Sequence, residues 1–228
     1  MSPIRLSDVD WLGLDVKWQL QRVRAYFETV DSWVQGLANE RAKKIADIPG
    51  GLSDEDYFAE VQLIDTELEY QVDSVTRTFR YSAAVMLFTA VEIGLRRLSK
   101  TVIKSVSVPF KPKEIVGSEL ERYKLFFVRQ CGVDFGNIPW ESIRTLQTVR
   151  DCIVHCAGYI DDLNEKDQVF LRKVSESPSS GLRIEEPLVE AGDEVLQVGA
   201  EFVQMSIKSI SELFDALIGQ VRSKGFVK

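Results

Sequence analysis

The sequence predicts an all-α protein: a multi-helix bundle with long antiparallel helices and one small β-hairpin near residues 182–198. Three observations carry this. Apolar residues recur at alternating steps of three and four over several long segments, the period that places them on one helical face. Serine stands at the acidic start of the first two segments, and glycine or proline punctuates the chain between helices. Charged residues make up 28% and hydrophobic ones 45% of 228 residues, a balance suited to a globular chain and not to a disordered one.

Ser7 is the expected cap of the first helix, with Asp8 and Asp10 at its positive end. Its apolar stripe runs Leu12, Val16, Leu20, Val23, Phe27, Val30, Val34, Leu37, until Asp47-Ile-Pro-Gly-Gly51 stops it. A second helix starts at Ser53, with Phe58, Val61, Leu68, Val72, Val75, Phe79 and Met86 as its expected buried stripe. From Ala83 it turns apolar all round, the mark of a helix at the centre of a bundle. Beyond the loop at Pro109 and Pro112, a third helix is expected over about 113–130, and 132–139 is a turn. The fourth helix runs from about Pro139 to near Gly158, with Ile143, Leu146, Val149, Ile153 and Cys156 inward. A shorter helix follows over about 164–175, then the hairpin, Gly181–Glu185 against Glu194–Val198. Val203, Ile207, Ile210, Phe214, Leu217 and Val221 mark the last helix. No repeat or long linker divides the chain, so one domain over 1–228 is expected.

Charge and composition narrow the functions. The net charge of −7 argues against a protein that coats nucleic acid with its whole surface. A local site is still open: Arg96, Arg97, Lys100, Lys104, Lys111 and Lys113 follow one another with no acid between them. They are either a solvated helix end and loop or an electropositive mouth beside a cleft. No apolar run reaches the roughly 20 residues of a membrane span, and acids stand where a secretory signal would place its apolar core. Three cysteines (Cys131, Cys152, Cys156) without a C-x-x-C predict free thiols in a reducing cytoplasm. One histidine with three scattered thiols makes no metal-ligand set, and no cofactor motif is present. Cys152 and Cys156, one turn apart, read as buried thiols of an amphipathic helix. Trp11, Trp18 and Trp33 of the first helix are expected to pack or to face a partner, although stacking on bases is open to them.

His155, the only histidine, lies in Val149-Arg150-Asp151-Cys152-Ile153-Val154-His155-Cys156-Ala157-Gly158. Arg150 and His155 project about 140° apart on a helix, whereas Asp151 and His155 share a face within hydrogen-bonding reach. Glu92 is the single charge in an apolar run and needs a partner, either Arg96 one turn on or Arg150 from the fourth helix.

The pattern Arg150-Asp151-x-x-x-His155, followed by His155-Cys-Ala-Gly158-Tyr-Ile160, resembles the signature of the HEPN superfamily. The apolar helix with Glu92 and Arg96 is similar to that family's E-x-x-x-[K/R] element. The departure is Asp151, where asparagine is commoner. The resemblance implies an all-helical, homodimeric, metal-independent endoribonuclease of toxin or abortive-infection type, restrained by an antitoxin or regulatory protein. Arg150, His155, Asp151 and Glu92 would then form the catalytic set, with Arg96, Arg97 and Lys100 binding RNA. The alternative is the same fold as a non-catalytic module that binds RNA or a nucleotide, or regulates a partner.

Overall fold

The computed structural model describes residues 7–185 and 193–227. The described residues form six α-helices in the order α1 (Asp8–Ala46), α2 (Asp54–Ser105), α3 (Glu119–Cys131), α4 (Trp140–Cys156), α5 (Glu165–Ser175) and α6 (Ala200–Ser223). A two-stranded antiparallel hairpin, β1 (Leu182–Glu185) and β2 (Val195–Val198), stands between α5 and α6. Its register pairs Leu182 with Val198 and Glu185 with Val195, so the expected all-α bundle with a small hairpin is what the chain adopts. No helix among the described residues is long and apolar enough to cross a membrane.

The helix starts follow the sequence closely. The Ser7 hydroxyl accepts from the Asp10 amide while the Asp10 carboxylate accepts from the Ser7 amide at 3.0 Å, a reciprocal cap. The side chains of Ser53, Ser118 and Asn164 cap α2, α3 and α5 by accepting from the amides of Asp56, Glu121 and Asp167. The start of α3 differs from expectation. Pro112–Glu114 make only a short 3-10 turn, and the helix begins at Glu119 after its Ser118 cap.

α2, at 52 residues, is about 78 Å long. Its second half is the axis of the bundle: Ala83, Ala84, Leu87, Val91, Leu95, Leu98 and Val102 are fully buried among α1, α3, α4 and α6. The contact with α6 depends on Gly94, where a Cβ would lie 2.2 Å from Phe214 Cζ, so only a glycine lets that ring seat against α2.

Between Phe27 and Ala83 the buried apolar side chains among the described residues are Leu37 and Leu68 alone. Here α1 and the first half of α2 pack as a thin antiparallel pair, laced by the two-pronged Arg41–Asp65 contact (2.6 and 2.9 Å) and by Lys44–Glu67 (3.2 Å). This corrects the expected α2 stripe. Phe58 is 70% exposed, because two helices in contact cover only one narrow seam of each, and Met86, 45% exposed, lies on a side of α2 that the bundle leaves uncovered. Trp11, Trp18 and Trp33, expected to pack or to face a partner, lie off the buried stripe and are exposed. Trp140 alone among the tryptophans enters the core, edge-on to Phe135.

Candidate functional site

α4 buries Trp140, Ile143, Leu146, Val149, Cys152 and Cys156 toward α2 and α6. That spacing leaves Arg150 and Asp151 on one flank, half-buried, and Val154 and His155 exposed near the helix end. The Arg150 guanidinium lies 5.8 Å above the ring of Phe88 from α2, a cation–π distance. Its Nη1 donates to Asp151 Oδ1 at 2.7 Å. Asp151 therefore turns to its neighbour and not to His155, since a guanidinium offers a carboxylate a planar, charge-assisted donor. His155 makes no side-chain hydrogen bond or ion pair among the described residues.

Glu92 is half-buried beside this pair, one turn beyond Phe88. Burial pushes its carboxyl above the usual range, and Glu119 and Asp151 push it further, while Arg150 and Arg96 act in the opposite sense. Neither arginine comes within ion-pair distance, so Arg150 and Arg96 balance Glu92 through space and not as the contact partners expected. Because the folded protein holds this proton more tightly than the unfolded chain, Glu92 lowers stability as pH rises through and above the ordinary carboxylate range. Glu92→Gln is expected to raise Tm relative to wild type at pH 7, with a smaller difference at pH 4. Thermal melts at the two pH values check this, and an equal difference at both would show that Glu92 is compensated.

The end of α4 is clamped. Ala157 and Gly158 both take left-handed backbone, with φ of 52° and 92°. At Gly158 a Cβ would also lie 2.3 Å from the Tyr81 hydroxyl. That hydroxyl donates to the carbonyl of Leu196 in β2, and the Leu196 amide donates back to the Gly158 carbonyl at 2.9 Å. Burial lifts the Tyr81 phenol to about 12, so it remains a donor throughout the physiological range. The hairpin, α2 and the turn after α4 thus hold the segment that carries His155 on a fixed support.

The cations expected to bind substrate divide between two faces of α2. Arg96 stands one turn beyond Glu92 and influences both Glu92 and Tyr123. Arg97, about 100° away, is paired with Asp15 of α1, and Lys100 lies between the two directions. Phe88, Glu119 and Tyr123 complete the surroundings of Arg150 and Glu92, and sequence reasoning did not single them out. For Phe88 the signal was present, since it precedes Glu92 by one helical turn. The cysteines are buried, as their helical spacing predicts. Burial raises the Cys152 thiol to about 12 and Cys131 to about 11, so both stay protonated and unreactive. Among the described residues no three His, Cys, Asp or Glu side chains come together as a metal-ligand set.

No family model matches the chain, and neither the curated proteins nor the solved structures compared with it yield a match.

Proposed function

We propose that the outer face of α4 is the active centre of a metal-independent endoribonuclease of toxin or abortive-infection type, built from two copies of this chain. The observation that supports it most is the pairing of functions on one helix. His155 is an exposed imidazole on a clamped helix end, and five residues earlier Arg150 is held over Phe88 by Asp151. RNA carries its own nucleophile, so such a site must supply proton transfer and charge stabilisation and nothing more.

In this reading His155 takes the proton from the 2′-hydroxyl as its oxygen attacks the adjacent phosphorus. The bond from phosphorus to the 5′-oxygen breaks, and that oxygen takes a proton from a second imidazole. Each chain has one histidine, so the second group is the partner's His155 across a two-fold axis. Arg150 stabilises the negative charge that develops on the phosphorane, Asp151 holds its guanidinium, and Glu92 serves the site as a second carboxylate acting on Arg150 through space. The products are a 2′,3′-cyclic phosphate and a 5′-hydroxyl.

One observation favours the non-catalytic alternative, a module that binds RNA or a nucleotide or regulates a partner. Asp151 occupies a donor of Arg150, and no described group orients the His155 ring. Cleavage of a labelled mixture of structured RNAs in EDTA, with the product ends mapped, tests between the two. Cutting that resists EDTA, leaves cyclic-phosphate ends and slows per protomer on dilution is expected. A folded dimer that cuts none of several RNAs would move the assignment to the binding module.

A further inference from the structure

Away from α4, the surface between α1 and α2 holds a groove of about 540 Å³ lined by Trp11, Leu12, Asp15, Arg97, Lys100, Thr101 and Lys104. Trp11 is 61% exposed at its edge. Its heptad neighbour Trp18 already carries the Arg22 guanidinium 5.1 Å from its ring centre. Asp15 is neutralised by its pair with Arg97, which also anchors that guanidinium in the groove. Lys100 and Lys104 are exposed and enter no ion pair among the described residues.

Resting on the RNA reading above, we propose that this groove is a subsite for single-stranded RNA, in which Trp11 stacks on one base while Lys100 and Lys104 hold the flanking phosphates. An exposed indole beside a row of cations is the combination that binds single strands without reading sequence, since every base has a face to stack on. The row also has a direction. Arg96, Lys100 and Lys104 are spaced one turn apart, about 6 Å, along α2. Arg96 stands one turn beyond Glu92, whose carboxyl both Arg150 and Arg96 act on. A strand stacked at Trp11 and followed along this row runs along α2 toward Glu92. The negative remainder of the surface favours such a local track over general adhesion.

The test is fluorescence anisotropy of a short labelled oligouridylate methylated at every 2′-oxygen, which cannot attack its own phosphate. It is titrated with the full chain at several salt concentrations. Trp11→Ala is expected to weaken binding about tenfold, and Trp11→Phe to restore most of it. The double variant Lys100→Ala/Lys104→Ala is expected to flatten the log–log salt dependence by about 1.4. All these side chains are on the surface, and equal thermal melts confirm that the fold is kept. Wild-type affinity in Trp11→Ala, or an unchanged salt slope in the lysine variant, overturns the proposal. So does displacement of the oligonucleotide by polyglutamate of matched charge at equal concentration. Cleavage of unmodified RNA is scored separately. Cutting without Trp11-dependent binding removes the groove alone, and Trp11-dependent binding without cutting removes the ribonuclease reading alone.

Discussion

His155→Ala is expected to lower RNA cleavage by about 10²–10⁴-fold, the usual loss on removing a proton-transfer group. The fold should be untouched, because the imidazole is exposed and bonds to nothing described in its own chain. Arg150→Ala is expected to lose activity on a similar scale by a different route. It removes the positive charge nearest the reacting phosphate, and it leaves Glu92 beside Asp151 and Glu119 with less compensation, so stability falls as well. Arg150→Lys separates the two effects. A lysine keeps the charge that balances Glu92 but not the planar fork that matches two phosphate oxygens, so stability should return while most activity does not. Single-turnover rates beside thermal melts read both quantities. Undiminished cutting in His155→Ala would mean that another group moves the protons.

Gly94→Ala is expected to destabilise the protein by about 3 kcal/mol, lowering Tm by about 6–12 °C. Two effects compete. Alanine is the better helix former by nearly 1 kcal/mol, which favours the variant. Against it, the added methyl would sit 2.2, 2.6 and 3.0 Å from three carbons of the Phe214 ring, which is 2% exposed and surrounded by core. A rigid ring in a close-packed interior has nowhere to go, so the clash wins. Adding Phe214→Leu to Gly94→Ala should recover part of the loss. A Tm equal to wild type in the single variant would show that the ring swings clear.

Much of the fold was legible because its signals are local. The Ser7 cap, the helix start at Ser53, the Pro-Gly-Gly break, and the runs that became β1 and β2 each depend on a few neighbouring residues. The start of α3 was misplaced because Ile115 extends the apolar stripe backwards, although it packs on the core from a turn. Phe58 and Met86 were assigned to the interior because periodicity shows which residues share a face and not how many helices cover it. At the site, spacing placed Arg150 and His155 on separate sides of α4, and it left Arg96 and Arg150 as equal candidates for a contact with Glu92 that neither makes. It did not reveal that Asp151 would choose Arg150 over His155. That choice depends on where the Arg150 guanidinium comes to rest over Phe88, which residue spacing does not encode. The division of Arg96 from Arg97 depends on where α1 crosses α2, a tertiary fact.

The thin pairing of α1 with the first half of α2 has a thermodynamic consequence. A segment whose interior rests on Leu37 and Leu68, with exposed ion pairs that contribute little, has a smaller opening free energy than the body it joins. Since α2 runs unbroken from that segment into the core, fraying that begins at the Pro-Gly-Gly turn travels along the helix and halts only at the dense layer beginning with Ala83. Phe88 and Glu92 lie just inside that boundary. The molecule thus has two tiers of cooperativity, and the Arg150 support stands at the edge of the firmer one.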